Sequence, residues 1–313
     1  MHTVKSSLVL GALLSCFVAH SPAMADRIVS GQFDQGRSWL EKRNLDLIDS
    51  PQEALTQGYI LVVGQGLPME GGSPARQRMT AIRAAEIMAY RRLAEIINGV
   101  HVSGQATVRE CVLESDAVRT AVNGLIRGAR KVHEIWDPVD GSAFVFMQVG
   151  IHGSDGVAET LYSNYINAAP GRAMLQAAVY TPPVNMPPPA TAAKRPAVVD
   201  VLHDGLIIDA RALGFQPALI NRIFTTKGEA LYDPSKISQK ILVEQGAGEY
   251  TNSIEKARAA LEARGAKSPM VVTAVGLKTL ADLNVSDEDV LRIYTADQKS
   301  NFLASAKVAF VLK

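Results

Sequence analysis

Cysteine is nearly absent from this chain, with only Cys16 and Cys111 among its 313 residues. Cys16 lies in a segment that we expect to be cleaved, so the mature protein would hold one thiol and no intramolecular disulfide. Its stability must therefore come from packing, for which the 47% of apolar residues is sufficient. We expect Cys111 to be a small buried side chain in a strand, because segment 108–113 alternates; an intermolecular bridge is the alternative.

An excess of charge of either sign is also absent. The 32 basic and 31 acidic residues give a formal net charge of +1 at neutral pH. Such a balance provides no broad electrostatic attraction for nucleic acid or for anionic lipid. We therefore expect no nucleic-acid partner.

The usual signatures of a metal or hydrolytic site are missing. Four histidines lack the spacing typical of metal ligands: His101, His133, His152 and His203. The acidic residues at 287–289 lack the alternating oxygen ligands of a calcium loop, and no G-x-S-x-G nucleophile turn occurs. We predict no catalytic residue and no metal.

One glycine pair has the order expected of a dinucleotide-binding loop. Gly64-Gln65-Gly66 follows an apolar run and precedes a long helical pattern. However, Met69 stands where the third glycine is required, and Pro68 lacks the amide donor that a phosphate would need. We interpret the glycines as the end of a strand that bends under a helix, and predict no cofactor.

Long apolar runs are confined to the first 25 residues. Lys5, an apolar stretch at 6–19 and the small residues of Ala23-Met24-Ala25 follow the order of a signal peptide, which predicts export and a mature chain from Asp26. Leu13-Leu14-Ser15-Cys16 also resembles a lipoprotein box, and cleavage there would leave a lipid on Cys16. Both alternatives predict a periplasmic protein, the second with a lipid anchor to the outer membrane.

A proline-rich segment divides the mature chain. Seven of the 15 prolines lie between Pro170 and Pro196, and proline favours an extended, semi-rigid backbone. We predict five regions from this boundary: a signal peptide (1–25), an N-terminal segment (26–58), a first domain (59–169), a Pro/Ala-rich linker (170–197) and a C-terminal domain (198–313).

Both predicted domains combine helices with strands. In the first we expect strands at 59–63, 132–136 and 143–149, a long strand or a hairpin bent at Gly104 over 100–112, and helices at 75–98 and 116–126, with a hairpin turn at Asp140-Gly141. In the second we expect strands at 206–210, 218–224, 269–275 and 307–312 and helices at 234–244, 254–264 and 287–294, with a hairpin turn at Lys227-Gly228 and a cap at Ser286. The predicted fold class is α+β: two α+β domains with antiparallel-rich sheets joined by a Pro-rich linker.

The long predicted helix carries a carboxylate beside its apolar stripe. Six residues share one side of the helical wheel: Ile82, Ala85, Ala89, Leu93, Ile96 and Ile97. Glu86 lies at the edge of this stripe, where it is costly unless paired, and Arg83, Arg91 or Arg127 are the candidate partners. Such a pair would be an internal tie or a contact with a neighbouring subunit. Arg83, Glu86, Tyr90 and Arg127 are thus our predicted structural or assembly contacts.

The first domain resembles a known family. The segments "ARQRMTAIRAAEIMAYRRLAEIINGVHVSGQATVRE" and "DAVRTAVNGLIRGARKV" are similar to the LPP-twenty lipoprotein family, which includes the flagellar accessory protein FlgP, and to the N-terminal domain of FlgT. The resemblance covers about 59–151, roughly a third of the chain. It is carried by Arg83, Ala84, Ala85, Glu86, Ala89, Tyr90, Leu93, Ala94, Gly99, Val100, Val122, Gly124, Ile126, Gly128 and Ala129.

The resemblance implies a bacterial envelope protein associated with flagellar motor accessory structures and motility, and it implies no catalytic residue. We therefore expect a non-enzymatic, exported structural or assembly component that associates with itself and with flagellar or outer-membrane envelope proteins. A periplasmic ligand-binding module is one alternative and requires a deep, mostly apolar cavity. An exported enzyme is the other and requires a pocket of clustered polar groups with shifted pKa values.

Overall fold

A computed structural model describes residues 33–174, 176–182 and 202–313. The predicted signal peptide, the lipoprotein box with Cys16 and most of the predicted proline linker lie outside these residues. We refer to residues 33–174 as the N-terminal unit and to residues 202–313 as the C-terminal unit.

The N-terminal unit is a three-stranded antiparallel sheet with helices on both faces. Its helices are α1 (Asp34–Glu41), α2 (Pro51–Gln57), α3 (Pro74–Gly99), α4 (Val108–Glu114), α5 (Asp116–Arg127), α6 (Val157–Leu161) and α7 (Ala169–Met174), and a π-helix (Tyr162–Ile166) continues α6. Its strands are β1 (Tyr59–Gly66), β2 (Arg130–Trp136) and β3 (Ala143–Gly150). The strand order is β1-β3-β2, with the predicted turn at Asp140-Gly141 between β2 and β3.

The predicted N-terminal segment (26–58) supplies a covering layer of this sheet. Phe33 packs at 5.7 Å from the ring of Phe146 on β3, and Trp39 of α1 lies 5.3 Å from the same ring. Leu61 and Val63 of β1 belong to the same apolar cluster, which is smaller than the main core on the other face of the sheet. The described part of the segment therefore belongs to the first folded unit and buries the sheet face opposite α3.

Gly64 and Gly66 allow α3 to lie directly on β1. A Cβ atom at Gly64 would stand 2.0 Å from the carbonyl oxygen of Ala85, and one at Gly66 would stand 2.1 Å from that of Ala81. No side chain fits in this space, and α3 meets the strand through its small residues Ala81, Ala85 and Ala89, all fully buried. The glycines thus serve close packing of a helix on a strand end, as the sequence predicted.

Segment 100–112 was predicted as a long strand or a hairpin. Its first part forms only an isolated antiparallel bridge between His101 and Thr107, and the prediction is wrong for the rest, because residues Val108–Glu114 form α4. The reason is a local cap. The carboxylate of Glu110 accepts a hydrogen bond from the backbone N–H of Thr107 and one from its hydroxyl, which stabilises a helix start. The capping pattern Thr107-x-x-Glu110 was present in the sequence and outweighs the alternation of apolar residues.

The C-terminal unit contains two four-stranded sheets. Its helices are α8 (Gln239–Gln245), α9 (Ile254–Ala263) and α10 (Asp287–Ser300), with a 3₁₀ turn at Pro234–Lys236, and its strands are β4 (Leu206–Asp209), β5 (Arg222–Phe224), β6 (Ala230–Tyr232), β7 (Glu249–Thr251), β8 (Met270–Thr273), β9 (Gly276–Thr279), β10 (Asp282–Asn284) and β11 (Val308–Val311). One sheet has the order β6-β5-β10-β9 and the other β7-β11-β4-β8. The predicted turn at Lys227-Gly228 joins β5 to β6, and the Ser286 hydroxyl caps α10 by accepting the N–H of Asp289 at 3.1 Å.

The α+β class predicted from the sequence is confirmed, although the sheets are not all antiparallel. The sheet β7-β11-β4-β8 is parallel at every pairing. Strands β4 and β11 are apolar at nearly every position, which is typical of parallel strands covered on both faces. Here α9 covers one face, where Ala257 and Leu261 contact Ile207. The other face, which includes Ile208 and Phe310, belongs to the main core.

The two units pack against each other and share this main core. The backbone N–H groups of Leu219 and Ile220 donate to the carbonyls of His101 and Val102 at 2.9 and 3.0 Å. Gly153 donates to the carbonyl of Val243 at 2.8 Å. Part of the segment predicted to be strand 218–224 therefore pairs with the other unit, and only Arg222–Phe224 joins a sheet.

The beginning of the predicted linker (170–197) is also folded. Helix α7 occupies its first residues, and Val179 forms a parallel bridge with Ala230 at the edge of β6. Within the described residues, no helix is long and apolar enough to cross a membrane.

Candidate functional site

The predicted contact residue Glu86 lies between α3 and β2. Its carboxylate is 3.0 Å from Arg83 Nη1 and 3.2 Å from Lys131 Nζ. Burial by itself would raise the pKa of Glu86, but hydrogen bonds from Arg83 and Lys131 outweigh it and hold that pKa below its usual value. Glu86 is therefore charged and paired at neutral pH. Its ion pairs with Arg83 and Lys131 offset the free energy lost when the carboxylate is partly removed from water.

The pairing continues along β2. Lys131 Nζ is 2.8 Å from Glu134 Oε2, and Arg78 Nη2 is 4.0 Å from Glu134 Oε1. The hydrogen bond that Lys131 donates to Glu134 is the main reason that the pKa of Lys131 is raised. We call these five residues, Arg78, Arg83, Glu86, Lys131 and Glu134, the α3–β2 ion cluster.

Two of the predicted contact residues lie outside this cluster. Tyr90 is half-buried and packs against the main core. Arg127 donates its Nε–H to the carbonyl of Asn123 on its own helix at 3.2 Å. Lys131 and Glu134 were not identified from the sequence, because only the folded position of β2 brings them beside α3, 45 residues away from Glu86 in the case of Lys131.

Exposed apolar side chains concentrate on and just before α3. Of eleven large apolar side chains exposed in the described residues, five lie between positions 67 and 88. Their exposed fractions are 65% for Leu67, 65% for Met69, 71% for Met79, 49% for Ile87 and 41% for Met88. We call these five residues the α3 apolar surface. Exposed apolar side chains on and near one helix make it a candidate interaction site.

The α3 apolar surface and the ion cluster share one helix. Met79, Arg83 and Ile87 are four residues apart, so they follow one line along the outer side of α3. Glu86 lies beside that line and points toward β2, where it meets Lys131. An apolar area bordered by charged groups is the composition of many protein interfaces.

We looked among the described residues for groups that could bind a metal and for the contacts of the histidines. They contain no group of three or more His, Cys, Asp and Glu side chains placed to hold a metal ion. His133 stacks on Trp39 with ring centroids 4.7 Å apart, and Nδ1 of His203 lies 3.1 Å from the carbonyl of Ser268.

Cys111 is fully buried in α4. Burial raises the pKa of its thiol to about 11, and a thiol must lose its proton to react as a nucleophile. Cys111 therefore has the environment of a packed core residue, as the sequence predicted, although it lies in a helix and not in a strand.

We predict that Cys111 is inert in the folded protein. In a Cys16→Ser chain, where Cys111 is the single thiol, its reaction with a chromogenic disulfide at pH 8 should be at least about 100-fold slower than in the denatured chain. The higher pKa alone lowers the thiolate fraction by about that factor. Equal rates with and without denaturant would show that the thiol is accessible.

A protein-family model matches the C-terminal part of the chain. The family described as the second domain of Treponema pallidum Tp0624 matches residues 205–313. The match covers nearly all of the C-terminal unit and about a third of the chain. It does not reach the residues that resemble the LPP-twenty family. No curated protein matches the chain.

Proposed function

We propose that this chain is a non-enzymatic, exported envelope protein that acts as a structural or assembly component. In this proposal the α3 apolar surface is the contact through which it associates with itself and with flagellar or outer-membrane envelope proteins. The observation that supports the proposal is the concentration of five exposed apolar side chains on and before α3. The signal-peptide pattern of the first 25 residues supports export.

The composition of the surface favours a protein partner. Methionine supplies three of its five side chains, Met69, Met79 and Met88, and the flexible thioether adapts to irregular partner surfaces. Methionine and arginine are also enriched in interfaces. The charges of the α3–β2 ion cluster lie beside this area and would form a polar rim that fixes the orientation of the partner.

The flagellar part of the proposal depends on the LPP-twenty resemblance. Several residues that carry it, including Arg83, Glu86 and Tyr90, lie on α3. The residues that follow Gly99 and Val100 in the same segment, His101 and Val102, pair with the C-terminal unit through their carbonyls. That contact is already occupied within the chain, whereas Arg83 on the outer side of α3 is exposed and remains available to partners.

We predict that the double variant Met79→Gln and Ile87→Gln weakens self-association of the mature chain (from Asp26) at least about tenfold, as loss of a central interface contact does. Both side chains are exposed, so the variant should keep the melting temperature of the wild type. Light scattering and sedimentation across a concentration series would measure the change. Leu113→Gln is the matched control, because Leu113 is 72% exposed on α4 and Met79 is 71% exposed on α3.

An unchanged distribution of masses in the Met79/Ile87 variant, or the same loss in the Leu113 variant, would contradict this assignment of the contact. Glu86→Gln separates the two interpretations of that residue. A lower melting temperature with normal association would identify an internal tie, and normal stability with weaker association would identify an intersubunit contact.

A deletion strain, scored for swimming and complemented with the Met79/Ile87 variant, tests the flagellar role.

A further inference from the structure

The parallel sheet β7-β11-β4-β8 ends in the edge strand β8, which pairs only with β4 among the described residues. An edge strand carries unpaired backbone groups, and proteins usually cover it or place charges on it, because it otherwise pairs with another chain. Residues 269–277, which include β8, contain no charged side chain. Val271, Val272 and Thr273 are β-branched, as is typical of strands that pair well.

The other sheet edges of the described chain each have a protecting feature. The backbone N–H of Ile48 bonds to β1, and Val179 forms a bridge with β6. Strands β2, β7 and β9 carry the charged residues Lys131, Glu249 and Lys278. In contrast, β8 has no charged residue, no register shift and no backbone bond from another described segment along its outer edge. Its four residues are no fewer than those of β6 or β9.

The hydrogen bonds of β8 show which of its backbone groups are free. The N–H groups of Met270 and Ala274 donate to backbone carbonyls at the two ends of β4, at 2.8 and 3.0 Å. Backbone groups alternate in direction along a strand, so those of Val271 and Thr273 point away from the sheet. The outer edge of β8 therefore presents four groups, the N–H and C=O of these two residues.

A second copy of β8 fits these four groups. Two identical edges related by a two-fold axis run antiparallel and use the same residues on both sides. With the axis at Val272, Val271 of one copy lies opposite Thr273 of the other, and residues opposed in this way exchange both N–H···O bonds. All four outward groups of each copy are then paired.

Neighbouring registers leave a carbonyl without a donor. An axis at Val271 would place Pro269, which has no N–H, opposite Thr273. An axis at Thr273 would place Val275 opposite Val271, and the Val275 N–H already donates to the Asn284 carbonyl at 2.8 Å. The register centred on Val272 is therefore the one that satisfies the whole edge.

The charges at the ends of β8 do not oppose this pairing. At its start, the Asp204 carboxylate accepts the backbone N–H of Lys267 at 2.8 Å. At its end, Asp209 lies beside Thr273 in the sheet and its Oδ2 is 2.6 Å from Nη2 of Arg211. Antiparallel pairing brings the start of one β8 beside the end of the other. Each end carries both signs of charge, so no patches of like charge, which would destabilise the pair, are brought together.

We propose that β8 is a second self-association contact, through which two copies of this chain join their four-stranded parallel sheets into one sheet across a two-fold axis at Val272. The contact belongs to the C-terminal unit, whereas the α3 apolar surface belongs to the N-terminal unit. Because few residues take part, it is a weak contact by itself. A chain with two separate self-contacts forms assemblies larger than a dimer, and this extension rests on the proposed function.

Cysteine cross-linking tests the register in the mature chain (from Asp26), whose Cys111 is buried. The chain also carries Met79→Gln and Ile87→Gln, which remove the α3 contact. In the proposed pair the Cα atoms of positions 271 and 273 of opposite copies are about 5.5 Å apart, within the range of a disulfide. Identical positions of the two copies are offset by two residues and lie beyond about 7 Å. A mixture of Val271→Cys and Thr273→Cys chains should therefore cross-link at least about tenfold faster than either variant alone.

Thr273→Lys in the same background should lower the association constant at least about fivefold, because a lysine on an edge strand opposes pairing with a second strand. Thr273 is exposed, so the melting temperature should stay that of the parent chain. Sedimentation equilibrium measures the association. Thr295→Lys is the matched control, because Thr295 is an exposed threonine of α10 in the same unit, and it should leave association unchanged.

Three results would overturn the proposal: equal cross-linking of the mixture and the single variants, association unchanged by Thr273→Lys, and no dimer of the Met79/Ile87 chain at about 1 mM. An edge covered by another part of the same chain, or by a different protein, would give the last of these results. The proposed function fails separately, through an unchanged distribution of masses when Met79 and Ile87 are replaced.

Discussion

Gly64→Ala is expected to lower the free energy of unfolding of the N-terminal unit by about 3 kcal/mol or more. The new Cβ would stand 2.0 Å from the Ala85 carbonyl oxygen and 2.5 Å from the Ala89 amide nitrogen. Overpacking usually costs about 1–3 kcal/mol, and it costs more when side chains cannot rotate away. Both obstructing atoms belong to the backbone of α3, so the whole helix must move off the strand.

Tryptophan fluorescence during denaturant unfolding measures this effect directly. The chain has two tryptophans, Trp39 and Trp136, and both belong to the N-terminal unit. Gly124→Ala is the matched control, because nothing lies within 4 Å of a Cβ at that exposed position of α5. It should raise stability by about 0.5–1 kcal/mol, since alanine favours a helix over glycine. A Gly64→Ala protein with the wild-type midpoint would show that α3 does not rest on β1.

Asp282→Ala is expected to cost about 3–5 kcal/mol, because it leaves a buried cation without its partner. Asp282 is fully buried between β5 and β9, and its carboxylate accepts the Nε–H of Arg222 at 3.2 Å and the Nη2–H at 2.9 Å. It also accepts the Arg222 backbone N–H at 3.1 Å and the Thr279 hydroxyl at 2.9 Å. The Asp282 carboxylate on β10 thus links β5, β10 and β9, three neighbouring strands of the sheet β6-β5-β10-β9.

The expected fall in melting temperature is on the order of 10 °C, given the usual relation between free energy and melting temperature for domains of this size. Circular dichroism would measure it. Arg211→Met is the control, because Arg211 forms an exposed pair with Asp209, and exposed pairs contribute little. The double variant Arg222→Met and Asp282→Leu should recover most of the loss, since well-packed apolar residues can replace a buried ion pair. A melting temperature of Asp282→Ala equal to that of wild type would contradict the role of the pair.

Several elements were predictable because their signals are local. The apolar stripe of α3, the turns at Asp140-Gly141 and Lys227-Gly228 and the cap at Ser286 all follow from residues within a few positions of each other. The α+β class followed from them. The failure at α4 was also local: the alternation of valines was given more weight than the cap formed by Thr107 and Glu110.

Long-range pairings could not be predicted in the same way. The partners of Glu86 were expected among arginines, yet one of them is Lys131, which is placed by the register of β2. The parallel pairing of β4, β8 and β11 depends on three strands far apart in the chain. No pattern within one segment specifies which distant strand it will join.

The sequence by itself determined the long helix α3, the hairpin of β2 and β3, the end of β1 at its glycines, and the burial of Cys111. These properties depend on the chemistry of neighbouring residues. Only the tertiary structure decided how the two units pack through His101 and Val102, and it alone placed β8 at the edge of its sheet. Both depend on contacts between residues far apart in sequence. The conformational preferences of neighbouring residues do not specify such contacts, which form only when the helices and strands pack together.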